Sequence, residues 1–356
     1  MADFGGWSMP IEYRGVVAEH QAVRTSVGIF DVSHMGKVRV HGPGALDALN
    51  AVLTNDLNRI DDGQAQYTLL CDDGGGVVDD MIVYRWNPDE LFIVPNAANT
   101  AQVVAVLHSA LAGQPQAADV VVDDLSTEHG IIAVQGPRSA SVLASMGLPV
   151  THGYMSMVAA TYHDAPMIVC RSGYTGELGF ELVVPSQALV PTWDALIARR
   201  EEFGLERAGL GARDTLRTEM GYPLHGQVLS LQITPIQAGL GWAVGWDKGA
   251  FSGRAALLDE RGKPARRLRG LLSLDRGIPR PHMSVWSEGT GGETGALVGE
   301  VTSGTFSPTL RQGIGLALLD STIGLDADVL VDVRGRTHRF RVVAPPFVTA
   351  SPKDPG

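Results

Sequence analysis

Three segments of this 356-residue chain place charged groups where the surrounding pattern calls for apolar ones. The first is Gly76-Val77-Val78-Asp79-Asp80-Met81-Ile82-Val83, two acids inside an apolar run. Successive side chains on a strand point to opposite faces, so on a sheet with one wet face Asp79 and Asp80 cannot both reach water. The inward acid costs free energy unless it is hydrogen-bonded or paired. Such a carboxylate has a pKa that suits proton transfer, or a charge that grips a cationic or NH-rich ligand. A turn-capping acid beside the glycine loop accounts for the pattern equally well.

The second segment runs Arg171-Ser172-Gly173-Tyr174-Thr175-Gly176-Glu177-Leu178-Gly179-Phe180-Glu181. Phe180, Leu182 and Val184 alternate, which puts Glu181 and Val183 on the other strand face. Glu181 has the chemistry to accept two N–H donors from a heterocycle; a hairpin with a surface glutamate is the plainer reading. The third is Gly211-Ala212-Arg213-Asp214-Thr215-Leu216-Arg217-Thr218-Glu219-Met220. As a helix it sets Arg213, Leu216 and Met220 at i, i+3 and i+7, so Arg213 lies on the apolar stripe. A guanidinium there needs a carboxylate, from the protein itself or from a ligand. Asp31-Val32-Ser33-His34-Met35 also mixes an acid, a hydroxyl and an imidazole, but adjacent Ser33 and His34 point apart on a strand, which argues against a serine nucleophile. Trp242 and Tyr222 offer faces on which a flat ring can stack, although aromatics more often fill cores.

These residues need elements to carry them. Lys37 to His41 alternates like a half-buried strand, Gly42-Pro43-Gly44 breaks it, and Leu46, Leu49 and Leu53 follow at helical spacing. The same order recurs at Ile131–Gln135, Gly136-Pro137 and Val142, Leu143 and Met146, a weak sign of two related α+β modules. Tyr67–Leu70 and Val77–Tyr84 read as strands around the Asp72–Gly76 turn, and Leu91–Pro95 as a third. Helical texture ends near Ala256. The charged segment Asp259–Leu268 then marks a boundary, and short strands such as Glu300–Thr302, Ile314–Leu319 and Val329–Val333 point to a small barrel or sandwich.

Composition narrows the classes. With 44% hydrophobic and 19% charged residues the chain reads as a compact soluble protein. A net charge of -11 disfavours nucleic acid. The basic cluster Arg261, Lys263, Arg266, Arg267 and Arg269 reads as a solvated linker or as a docking patch for an acidic partner. No run of 18 apolar residues spans a membrane, and the N-terminus lacks the pattern of a signal peptide, so a cytoplasmic location is expected. Two cysteines, Cys71 and Cys170, make no disulfide framework, and no Cys/His cluster has zinc spacing, so no metal is expected. Dinucleotide, P-loop and serine-elbow motifs are absent, so no bound nucleotide or flavin is expected.

In order along the chain, Phe4-Gly5-Gly6-Trp7, Asp31-Val32-Ser33-His34-Met35, Gly75–Asp80, Gln135-Gly136-Pro137, Gly173-Tyr174-Thr175-Gly176-Glu177, Gly211–Arg217, Thr234-Pro235 with Gly241-Trp242, and Thr302–Pro308 closely resemble the aminomethyltransferase family. The resemblance covers about residue 4 to Phe347. It implies an α+β fold, a three-domain cloverleaf with two α+β modules around a central folate cavity and a C-terminal β-barrel. The implied folate-binding region is 1–258, with interleaved modules of about 1–50 with 125–225 and 51–124 with 226–258, and the barrel is 265–348. The implied reaction moves the methylene unit of an aminomethyl group, held on the dihydrolipoyl arm of a carrier, the H protein, to tetrahydrofolate as co-substrate. Asp80 matches the family's central acid, near the reacting nitrogens. Glu181 matches the acid on the pterin edge, and Arg213 the arginine near the folate. Tyr174, Met35, Tyr67, Tyr222 and Trp242 match cavity-lining residues. The runner-up is a folate-dependent demethylase on the same fold. A third reading is a non-catalytic folate protein, but the cysteine motif of such relatives is missing.

Overall fold

The computed structural model describes residues 1–114, 117–289 and 293–353. Two mainly antiparallel sheets and a closed barrel account for nearly all strands. The first sheet runs, in spatial order, Met157–Tyr162, Ala165–Cys170, Gly179–Pro185, His129–Gln135, Val27–Asp31 and Leu205–Arg207. Only its last strand pairs parallel, with Val27–Asp31. The second sheet is ordered Ala65–Cys71, Val77–Asn87, Glu90–Val94, Val38–His41 and Val121–Asp124. Six strands from Arg266 to Val343 close the barrel around Leu271, Val301, Val331 and Phe340. This is the expected α+β architecture with a C-terminal barrel.

Strand alternation decides what each sheet shows to its neighbour. Phe180, Leu182 and Val184 pack outward with the helices Ser139–Ser145 and Ser186–Ile197, while Val183 and Glu181 turn the other way. On the second sheet Val38, Val83, Leu91 and Ile93 face the helices Ala45–Asn50 and Thr100–Ala112. A third core, with Phe30, Ala65, Tyr84 and Ile131, joins the two inner faces. Where these faces part, a cavity opens.

The strand Val38–His41 and the helix Ala45–Asn50 correct the division expected near residue 50. Val38–His41 hydrogen-bonds between Glu90–Val94 and Val121–Asp124, so this segment sits in the second sheet and the chain changes module after Met35. The basic cluster also resolves differently from a solvated linker. Arg266–Ser273 is a barrel strand, and Arg269 reaches the cavity wall.

The helix Leu210–Glu219, which carries Arg213, is fixed at both ends by buried carboxylates. Glu19 accepts backbone N–H bonds from Tyr13 (2.5 Å), Arg14 (2.7 Å), Gly15 (3.2 Å) and Gly209 (2.9 Å), at the start of the helix. At its end Glu219 accepts from Arg24 Nη2 (2.8 Å), Ser307 Oγ (2.5 Å) and Thr309 Oγ (2.9 Å), and lies 3.3 Å from His20 Nε2. Burial alone raises the Glu219 pKa. The hydrogen bonds from His20 and Ser307 and the Arg24 cation outweigh it and leave about 2. Because Ser307 and Thr309 belong to the barrel region, this cluster also ties the barrel to the first sheet.

Candidate functional site

The cavity encloses about 890 Å³, within the usual range for small-molecule sites. Asp80, Glu181, Arg213, Tyr174, Met35, Tyr67, Tyr222 and Trp242, all singled out from sequence, line it together. They come from separate segments: two neighbouring strands of the second sheet, one strand of the first, the helix Leu210–Glu219 and the loops between.

Asp80 is carried by Val77–Asn87, next to Leu69 of the partner strand. The turn before it requires glycine. A Cβ on Gly76 would stand 2.1 Å from the Leu231 carbonyl oxygen, and Gly75 has φ +82°. Asp80 Oδ2 accepts the Tyr67 hydroxyl (2.8 Å), and Oδ1 accepts Asn96 Nδ2 (3.0 Å). Asp79 points away and is fully buried. It accepts Asn96 N (2.9 Å), Asn96 Nδ2 (2.8 Å) and Asn99 Nδ2 (2.7 Å). Sequence reasoning left open which acid turns inward. In the structure both do, Asp80 to the cavity and Asp79 to an amide cage. Burial, then the adjacent Asp80 carboxyl, raises Asp79. Burial also raises Asp80, against the Tyr67 hydroxyl, His225 and Asn96. Tyr67 holds its own proton far above the ordinary range, through burial and the adjacent acid, and so stays a donor.

Glu181 lies opposite Cys170 in the sheet, and accepts the Ser172 hydroxyl at 2.5 Å. Ser172 Oγ is in turn 2.8 Å from the Tyr84 hydroxyl. The relay fixes one oxygen of the carboxylate from behind and leaves its edge to the cavity. Arg213 stacks over the Tyr174 ring, 4.6 Å to the centroid. Among the described residues no carboxylate lies within ion-pair distance of it. The internal pair anticipated as an alternative belongs to the next turn, where Arg217 binds Asp214 (2.6 Å) and Ser303 (2.9 Å). Burial lowers the Arg213 pKa, with Tyr174 and Glu181 opposing. Nearby His34 is pushed down to about 3 by burial, then by Arg213 and Lys37, and presents a neutral ring. Its Nδ1 is buried without a partner in the described structure.

The aromatic lining is ordered by contacts of its own. The Tyr174 hydroxyl donates to the Pro223 carbonyl, and its ring lies 5.8 Å from Tyr222. Tyr67 stacks on Trp242 at 5.4 Å and 27°. Trp242 is 63% exposed, so this pair forms the rim rather than the floor. Lys37, fully buried, donates to the Ser33 and Met35 carbonyls (2.8 and 2.7 Å) and holds the loop that presents His34 and Met35. Burial pushes its pKa down to about 8.

Sequence reasoning missed Asn96, Tyr154, Arg269 and Pro345, which also line the cavity. Asn96 carried a signal, a polar residue between a strand and a helix; Arg269 was read only as part of a charge run. Among the described residues no group of three or more His, Cys, Asp or Glu is placed to hold a metal ion, and no helix is long and apolar enough to cross a membrane. Both cysteines are buried and unpaired.

Comparison with known proteins adds an independent line. Residues 1–248 match the family model of the GCVT N-terminal domain, and residues 266–349 that of the glycine cleavage T-protein C-terminal barrel domain. An aminomethyltransferase of Parafrankia sp. (strain EAN1pec) is 61% identical over 99% of this chain and 94% of its own length. One from Mycobacterium bovis is 54% identical over 98% and 92%. The crystal structure of the glycine cleavage system aminomethyltransferase T from Bartonella henselae superposes with a TM-score of 0.89 at 32% identity, covering 98% of this chain and 94% of that one.

Proposed function

We propose, because this chain belongs to the glycine cleavage T-protein family, that its cavity binds tetrahydrofolate and receives the aminomethyl-loaded lipoyl arm of the H protein. The chain is a transferase, an aminomethyltransferase of the glycine cleavage system. The observation that carries the site assignment is the convergence of Asp80, Glu181 and an unpaired Arg213 on one aromatic-lined cavity.

A pterin edge offers two N–H donors beside a carbonyl. Glu181 accepts the donors, and Arg213 donates to the carbonyl, which supplies the partner the guanidinium lacks. Tyr174 and Tyr222 pack against the flat ring, with Tyr67 and Trp242 at the rim. This seating leaves Asp80 for the reacting nitrogens.

The chemistry then balances as follows. Two carbon–nitrogen bonds form from the methylene carbon to the folate nitrogens, and its bonds to the amine and to sulfur break. The two folate N–H protons leave, one completing ammonia and the other the lipoyl thiol. Asp80 is the group through which protons pass, an effect commonly ~10²–10⁴-fold in rate. Holding both reactants in one cavity contributes more, at best roughly 7–11 kcal/mol. We assign the work to the cytoplasm.

The test mixes the protein with aminomethyl-loaded H protein and tetrahydrofolate. Ammonia release that requires the carrier supports the reading. Demethylation of a free methylated amine, with no carrier-dependent release, overturns it.

A further inference from the structure

We infer that Asp79 is a positioning residue for the transfer: three amide N–H groups keep the negative charge of the acid pair on Asp79, and its charge, relayed through Asn96, keeps the carboxyl proton on Asp80 at the cavity face. The inference rests on the assignment of Asp80 to proton transfer.

The geometry is unequal across the pair. Asp79 accepts three N–H bonds at 2.7–2.9 Å, and no cation among the described residues lies within ion-pair distance of it. Asp80 accepts one hydroxyl, from Tyr67, and a share of Asn96 Nδ2. That amide has two N–H groups and three acceptors, Asp79 Oδ1 (2.8 Å), Asp80 Oδ1 (3.0 Å) and the Asp80 carbonyl (3.0 Å). Its shortest bond goes to Asp79. Two adjacent buried carboxyls do not both stay ionised, so they titrate as a unit and share one proton. Hydrogen bonds to the charged form favour that form, and Asp79 has more of them. The other groups that act on the pair are Tyr67 from the neighbouring strand and Tyr174 and His225 from loops across the cavity. Of these His225 favours the charged form of Asp80, against the three amide bonds to Asp79. Burial raises both acids.

A protonated Asp80 has a defined task. Its proton goes to the amine nitrogen as the carbon–nitrogen bond breaks and the electron pair leaves with ammonia. Asp80, then ionised, takes back the proton of the folate nitrogen that has bonded to carbon. Asp79 stays an anion throughout and touches neither substrate.

The experiment is Asp79→Asn in the full-length enzyme, with kcat followed over pH and tetrahydrofolate binding measured separately. Without the neighbouring charge, Asp80 gives up its proton at lower pH. The limb on which kcat falls with rising pH then moves down by about one unit or more, and kcat at pH 8 falls at least ~10-fold, while the folate Kd stays within about twofold. An unmoved limb, or loss of folate binding in step with kcat, overturns the inference. Asp80→Asn separates the two readings. If it retains turnover, the assignment of Asp80 has failed; if it is inactive while Asp79→Asn keeps the wild-type profile, only the role of Asp79 has. Should Asp79→Asn not fold, infrared titration of the wild-type enzyme decides. One carboxyl C=O band must persist to near neutrality and disappear at much lower pH in Asp80→Asn, and two carboxylates already ionised at pH 5.5 would refute the shared proton.

Discussion

Replacing Arg213 with methionine should weaken the ligand while leaving the empty enzyme as stable as before, or more so. In the empty cavity the guanidinium has the Tyr174 face at 4.6 Å and no carboxylate partner among the described residues. A desolvated cation–π contact of this kind contributes about 0.5–2 kcal/mol. Against it stands the desolvation of a cation, which costs several kcal/mol when complete. Arg213 is only partly buried and borders the cavity, so the cost here is partial. The two effects nearly cancel, and methionine keeps most of the packing length. Stability of the unliganded protein should therefore change by ~0 to +1 kcal/mol. With the pterin seated, the variant loses a charge-assisted hydrogen bond of about 1.5–3 kcal/mol, which is roughly a 10- to 100-fold rise in Kd. Urea denaturation without ligand and calorimetric titration with tetrahydrofolate read the two quantities. A variant that binds folate normally but loses more than ~2 kcal/mol of stability would show that Arg213 holds the fold instead, and the reasoning would be wrong.

Four further outcomes follow from the same geometry. Asp80→Asn should keep folate affinity and lose ~10²–10⁴-fold in ammonia release, measured in single-turnover mixing. Glu219→Gln should cost ~1–3 kcal/mol at neutral pH, because it removes one charged partner of Arg24, which keeps Glu177. The wild-type carboxyl sits at about 2 when folded, below its unfolded value, so its contribution is complete above ~4.5 and fades as pH falls toward 2; the variant should lack that part of the acid slope in denaturant titrations. Lys37 and Lys248 are both pushed down to about 8. From pH 8 to ~9.5 the unfolded chain therefore binds more protons than the folded one, stability rises with pH, and Lys37→Met should remove about half of that rise. Gly76→Ala should abolish folding of the second sheet, seen as loss of soluble protein, since its Cβ would meet the Leu231 carbonyl oxygen at 2.1 Å.

Local pattern drew attention to three of the candidate residues, and the family resemblance supplied their roles and the rest of the lining. Asp80 interrupts an apolar strand, Glu181 occupies the less obvious face of an alternating one, and Arg213 sits on a helix stripe that should be greasy. Each violation marked a polar group in need of a partner, although it did not name the partner. Only the fold shows that Arg217 takes the internal ion pair and that Arg213 has no carboxylate within ion-pair distance among the described residues. The barrel was readable from its short strands and glycines. The module boundary was not, because Val38–His41 looks the same whichever sheet receives it, and pairing with Glu90–Val94 is a tertiary choice. Arg269 and Pro345 were hidden for a similar reason: they reach the cavity through the docking of the barrel, which leaves no trace in local periodicity.

That docking makes the cavity common property. Its floor and walls come from both sheets, and Leu268, Arg269 and Pro345 close it from the barrel region, while Glu219 bonds Ser307 across the same seam. A ligand that fills such a space is gripped only while all the units stay assembled. By linkage, every factor of affinity it gains is returned as resistance to their coming apart. Occupancy should therefore protect the seam amides around Ser307 and Phe347 from hydrogen exchange, even though these residues lie outside the cavity lining.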